Sequence, residues 1–179
     1  MKRVLITGKG SYIGSHFRDY LKKFSNDYYV EELDVRDDSW KQFDFSQFDV
    51  VYHVAGIAHI KETKENASLY YKVNRDLAVE IAKLSKSCGI KHFVFMSSMS
   101  VYGLIYSNDL ITINTKTNPN TNYGKSKLQA ENEILKLADD TFKVSVLRPP
   151  MVYGKNSPGN MTKLINAVKN VHIFPTLKN

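Results

Sequence analysis

A chain of 179 residues can bury one full core, and 42% hydrophobic with 12% aromatic residues excludes a disordered segment. Its longest apolar runs, VLI and FVFM, are far too short to cross a bilayer. The basic start Met1-Lys2-Arg3 leads into a strand-length run without a cleavage-type segment, so a cytoplasmic chain with no signal peptide and no membrane partner is expected. The net charge of +7 is spread over scattered lysines rather than gathered in blocks; this argues against nucleic acid and suits a phosphorylated small molecule drawn in by long-range attraction.

The first element is Val4, Leu5 and Ile6 running into Thr7-Gly8, with Gly10 and Gly14 close behind. From residue 13 the apolar positions Ile13, Phe17, Tyr20, Leu21 and Phe24 recur at helical spacing, so the glycines join a strand to a helix. Glycines at that junction permit positive φ and let the main chain approach a pyrophosphate held by the helix N-terminus. The run YYVEELDV is a second strand closed by Asp34, twenty residues after Gly14, where a carboxylate is expected to meet the adenosine ribose of NAD and repel the 2′-phosphate of NADP. Lys9 and Arg36 are each placed to neutralise that phosphate, so NADP stays open.

FDVVYHVAG is a continuous apolar strand, and SLYYKVNRDLAVEIAKLSKSCG keeps the helical period through Leu69, Val73, Leu77, Ile81 and Leu84 until Gly89 caps it. The single cysteine, Cys88, lies near that helix end and reads as a small apolar residue in a reducing compartment. IKHFVFMSS is a further buried strand, NYGKSKLQAENEILKLA a helix, and KVSVLRPP a strand halted by two prolines. Strands alternating with helices from end to end predict βαβ units and a Rossmann-type doubly wound parallel sheet covered on both faces. The tail from Met151 holds one weak helix and a Phe174-Pro175 stretch. No metal-ligand cluster stands out.

Chemistry is expected from SSMSVYG after the fourth strand and YGKSK at the start of a helix. Tyr123 and Lys127, four apart, share one helix face, and an ammonium beside a phenol favours its anion. TGKGSYIG, HVAGIAH, VNRDLAVEIAK, FVFMSSMSVYG, YGKSK and VLRPPMVYG, in that order, resemble the extended short-chain dehydrogenase/reductases, the NAD-dependent epimerase/dehydratase family that acts on nucleotide sugars. In that family the turn reads T-G-x-x-G-x-x-G; here Ser11 replaces the middle glycine and Gly10 precedes it.

The resemblance implies a general acid/base at Tyr123, a nicotinamide-ribose ligand at Lys127 that also lowers the tyrosine pKa, and a substrate-binding hydroxyl at Ser98. It extends the NAD contacts from Gly8, Gly10, Gly14 and Asp34 to Ser11, Tyr12, Ile13, Val35, Ala55 and Gly56. Asn74 matches a helix asparagine expected to be structural, and Arg148 a strand-end arginine of open role. Met99-Ser100 stand where the family's dehydratases carry an Asp-Glu pair, which leaves a UDP-sugar 4-epimerase or 4-keto-reductase. The implied domains are 1–150 for the cofactor and 151–179 for the start of a largely missing substrate domain, with a homodimer compatible. A sensor that binds a dinucleotide without turnover, or an inactive cofactor-binding fragment, is the competing reading.

Overall fold

In the computed structural model, which describes residues 1–58, 60–104, 108 and 110–171, the chain divides into two compact units, Met1–Pro149 and Pro150–Asn179. The first is built on five parallel strands, β1 (Lys2–Thr7), β2 (Tyr28–Leu33), β3 (Val50–His53), β4 (His92–Met96) and β5 (Lys143–Leu147), in the spatial order β2-β1-β3-β4-β5. The chain runs outward from β1 to β2 and then returns to β3 on the other side of β1. This reversal makes the carboxyl end of the β1–β3 pair the topological switch point, where open α/β sheets bind ligands.

Alternation along the strands sorts the core into two layers. Leu5, Val51, Phe93 and Phe95 face one way, against Ala78, Ile81 and Ala82 of α3 (Leu77–Ser87) and Ala130 and Ile134 of α4 (Asn122–Leu135). Val4, Ile6 and Tyr52 face the other way, against Ile13, Phe17 and Leu21 of α1 (Tyr12–Leu21). Helix ends follow local chemistry: Ser11 caps α1 by accepting the Gly14 amide, Thr121 caps α4 by accepting the Gly124 amide, and Gly89 follows α3 at φ 80°.

Two departures from the sequence reading concern how the layers are filled. The alternation of strands and helices does not run from end to end, because no α-helix crosses between β2 and β3. Two 3₁₀ turns, Asp38–Gln42 and Phe45–Gln47, take its place, opened by Asp37 and Asp44 accepting the Ser39 and Ser46 amides at 3.0 and 2.9 Å. These turns deliver Trp40 and Phe45 into the core, 2% and 0% exposed, and so bury apolar bulk where a helix would have lain. The long helix after β3 is also broken into α2 (Ala67–Tyr71), a π turn over Lys72–Asp76, and α3. A wide turn of this kind carries an extra residue and rotates one side chain inward; here the buried residue is Asn74. The second unit contains α5 (Asn160–Val171); residues 172–179, including Phe174-Pro175, and His59 of the HVAGIAH run lie outside the described residues.

Candidate active site

The glycine turn sits at the switch point, and its shape is dictated by contacts. Gly8 has φ 116°, and a Cβ there would lie 2.8 Å from the Ala55 nitrogen, so the turn after β1 packs directly on the segment after β3. A Cβ on Gly14 would come within 2.6 Å of Ser11 Oγ and 3.0 Å of Ile6, so α1 seats closely on β1. Gly10, at φ 76°, has open space around it. Ser11, whose amide donates to the Gly8 carbonyl at 3.0 Å, precedes Tyr12 and Ile13, which open α1; its first turn has no acidic residue and presents the Tyr12 and Ile13 amides at the carboxyl edge.

Two carboxylates stand beside this turn, those of Asp34 and Glu32. Asp34 stands one residue beyond β2, and Arg36 grips its carboxylate through Nε at 2.9 and 3.0 Å, which with Lys9 holds its pKa down at about 2. Glu32 instead accepts the Gly10 amide and the Ser15 hydroxyl, each at 3.4 Å, and pairs with Arg18. The reason is register. Glu32 lies opposite Ile6 in the parallel ladder, on the face that packs against α1, whereas the strand has ended before Asp34. That signal was present in the period-two pattern, since Val30 packs on the same face. Val35 is buried in the core, so what it offers a ligand is its main chain.

Beyond β3, Ala55 is buried and Gly56 is exposed. A Cβ on Gly56 would stand 2.8 Å from Asn74 Oδ1 and 3.1 Å from Lys127 Nζ, so this residue brings the strand end against both side chains. Asn74 holds Ile57 at both ends, accepting its amide at 2.9 Å and donating to its carbonyl at 3.0 Å, which gives the expected structural asparagine its partners.

Tyr123 and Ser98 are brought together. Ser98 lies two residues beyond β4 and caps a 3₁₀ turn over Met99–Tyr102; its hydroxyl accepts the Ser100 amide and donates to Ser100 Oγ, each at 3.1 Å, and stands close enough to the Tyr123 phenol to favour the phenolate. Burial raises the phenol's pKa, the Ser98 hydroxyl pulls it back, and the Tyr70 ring packs against it at 6.3 Å between centroids. Lys127, 4% exposed, donates to the Met96 carbonyl at 2.8 Å and lies 4.8 Å from the Phe95 ring centroid. Burial lowers its pKa to about 8, with Glu131 opposing, so it is charged at neutral pH. The ammonium therefore points at the sheet end and Gly56.

Two further features escaped the sequence reading. His53 is fully buried at the end of β3, with Nδ1 2.7 Å from Thr7 Oγ1 and, among the described residues, no hydrogen-bond partner for Nε2; burial and then Lys127 push its pKa down to about 3. Glu131 is fully buried and pairs with Arg148, which gives the strand-end arginine its partner. Among the described residues no helix is long and apolar enough to cross a membrane.

Sheet order, the glycine turn at the switch point and the helix bearing Tyr123 and Lys127 define a Rossmann-type α/β domain. The sequence model of the NAD dependent epimerase/dehydratase family matches residues 4–175, and the chain belongs to that family. It is 30% identical to UDP-glucose 4-epimerase of Vibrio cholerae, over 93% of this chain and 57% of that one. It is 29% identical to N-acetyl-alpha-D-glucosaminyl-diphospho-ditrans,octacis-undecaprenol 4-epimerase of Escherichia coli O157:H7, over 92% and 53%. The chain thus spans little more than half the length of these relatives. The same fold occurs in UDP-glucuronic acid 4-epimerase from Bacillus cereus in complex with NAD, with a TM-score of 0.78 at 23% identity over 93% of this chain and 62% of that one. It also occurs in dTDP-4-dehydrorhamnose reductase from Bacillus anthracis in complex with NADP, with a TM-score of 0.75 at 22% identity over 94% and 60%.

Proposed function

We propose that this chain is the cofactor-binding part of an NAD-dependent nucleotide-sugar 4-epimerase, with residues 1–150 holding NAD and 151–179 opening the part that grips the sugar nucleotide. The observation that carries the reading is the meeting of Ser98 and Tyr123, with Lys127 one helical turn on, at the sheet edge that carries the glycine turn. The cofactor fits the residues present. The open space around Gly10 and the first-turn amides of Tyr12 and Ile13 leave a cradle for a pyrophosphate, in a turn that Gly8 seats against Ala55 and that the Ser11 and Gly14 amides hold in shape. Glu32, with Asp34 beside it, places carboxylates toward the adenosine ribose, which favours NAD over NADP through repulsion of the 2′-phosphate. Val35, Ala55 and Gly56 line the same edge.

When bound, NAD takes up and returns the hydrogen on the sugar C4 with its electron pair. Tyr123 accepts the proton of the C4 hydroxyl as the C4–O bond becomes a carbonyl, and gives it back when the opposite epimer forms. Ser98 donates to the same oxygen and holds it against the phenol. Lys127 presents its ammonium to the nicotinamide ribose hydroxyls, and once turned from the Met96 carbonyl it adds a positive charge that favours the phenolate. A 4-keto-sugar reductase would use the same three side chains, but would consume reduced cofactor with each turnover.

The test is to incubate the protein with NAD and UDP-glucose and follow UDP-galactose. Interconversion without net cofactor consumption is expected, with Tyr123→Phe lowering turnover about 10³-fold and NAD binding at least about ten-fold tighter than NADP by calorimetry. Full turnover in Tyr123→Phe would remove the acid/base assignment, and stoichiometric oxidation of NADPH would make the protein a reductase.

A further inference from the structure

Behind Ser98 and Tyr123 lies a second polar cluster to which the proton transfer assigns no task. The carboxylate of Glu131, 0% exposed, accepts the Ser97 hydroxyl on Oε1, Arg148 Nε on both oxygens at 3.1 Å, and Arg148 Nη2 on Oε2 at 2.6 Å. The remaining arm of the guanidinium, Nη1, donates to the Tyr102 hydroxyl at 2.8 Å, and the guanidinium carbon stands 5.1 Å from the centroid of the same ring. Ser97 and Tyr102 are the residues that bracket the turn presenting Ser98. Main-chain bonds tie the same turn to the end of β5, from the Ser97 amide to the Leu147 carbonyl at 2.8 Å and from the Met99 amide to the Pro149 carbonyl at 3.1 Å. Glu131 itself lies two helical turns beyond Tyr123 on α4, with Lys127 between them.

An ion pair with a fully buried carboxylate and a half-buried guanidinium is a poor device for stability alone, because desolvating the carboxylate offsets much of what the attraction returns. What this pair does is geometric: the carboxylate joins the helix that carries the phenol to the Ser97 end of the turn that carries the hydroxyl, and the guanidinium it holds reaches the Tyr102 end. We propose that Glu131 and Arg148 are positioning residues that hold the turn bearing Ser98 against the helix bearing Tyr123, with Ser97 and Tyr102 as the two points at which they grip the turn. Neither touches the substrate. The inference rests on the reading of Tyr123 as the acid/base, and the measurements below separate the two.

Among the described residues, the titratable and charged groups about the phenol are Tyr70 from α2, Lys127 from α4, and Glu62 of the preceding loop, whose Oε1 accepts the Asn122 amide at 2.7 Å. None is altered by Tyr102→Phe, which keeps the ring and removes one acceptor from Arg148. The phenol is followed by carbon-13 NMR of protein labelled at the tyrosine ring carbon that bears the oxygen, with the Tyr123 signal identified by its loss in Tyr123→Phe. In Tyr102→Phe its titration moves to higher pH, because the Ser98 hydroxyl that favours the phenolate is less firmly held. Turnover falls about ten-fold while the KM for the sugar nucleotide and the affinity for NAD stay within about two-fold. In a Ser98→Ala background the same change moves the titration no further, since the hydroxyl it positions is gone. Arg148→Lys, which keeps the charge but loses the fork, gives an intermediate shift.

A Tyr102→Phe protein of lower melting temperature and unchanged Tyr123 titration would overturn the proposal and leave the cluster purely structural. Should Tyr123→Phe retain full turnover while Tyr102 and Ser98 remain coupled in the titration, the acid/base reading fails and the positioning role stands.

Discussion

The two ends of the switch-point edge are built by opposite means. At the glycine turn, between β1 and α1, the work is done by main chain and by missing side chains: Gly8 lies where a Cβ would meet the Ala55 nitrogen, and the nearby charges of Glu32 and Arg18 pair with each other. On α4 and the ends of β4 and β5 the work is done by buried polar side chains, with Lys127, Glu131, Ser97 and Ser126 all nearly inaccessible. The first region is tolerant of charge and intolerant of volume. The second is filled to normal volume and depends on each charge keeping its partner. A phosphate approaches main chain most closely where side chains are absent, whereas a phenol that must gain and lose a proton needs fixed dipoles and charges around it.

Substitutions that exchange these two kinds of sensitivity test the comparison. The largest effect is expected at Gly8: alanine there combines φ 116° with a clash against backbone that cannot turn away, and should cost at least about 3 kcal/mol of stability by urea unfolding. Next in size is Lys127→Met, with the opposite sign. Because Lys127 has its folded pKa lowered from 10.5 to about 8, the native state carries a desolvated charge at pH 7 that the substitution removes. Stability should rise by up to about 3 kcal/mol at pH 7 while activity is lost. Between pH 8 and 10.5 the unfolded chain holds a proton that the native one does not, so the wild type gains stability as pH rises through that window, and the gap to Lys127→Met closes.

His53 offers a smaller effect on the acid side. With its folded pKa at about 3 against 6.5 for the free side chain, stability complete above pH 6.5 is lost as pH falls toward 3, by about 2 kcal/mol at pH 5. His53→Gln should flatten that part of the curve in thermal melts at stepped pH. An unchanged acid limb would show that His53 takes up its proton without opening the fold. The smallest effect belongs to Gly10→Ala, where φ 76° alone is penalised and no atom stands within 4 Å, at about 1 kcal/mol. Equal losses at Gly8 and Gly10 would show that backbone conformation, rather than close approach to the β3 end, sets the requirement for glycine.

Sequence alone determined the features that local chemistry encodes. Strand runs and helical periods placed β1 to β5, α1 and α4; the need for positive φ marked the turn at Gly8 and Gly10; Gly89 marked the end of α3; and a spacing of four put Tyr123 and Lys127 on one face. Each of these depends on residues within a turn or two of one another, where the backbone itself enforces the geometry. Tertiary structure alone decided that 3₁₀ turns carrying Trp40 and Phe45 replace a crossover helix and that a π turn directs Asn74 inward. It decided too that Glu32 joins Asp34 at the glycine turn, where it accepts the Gly10 amide, and that Glu131 meets Arg148 and Ser97. Those choices join residues far apart in the chain through the register of the sheet and the space left in its layers, and no local pattern records either quantity.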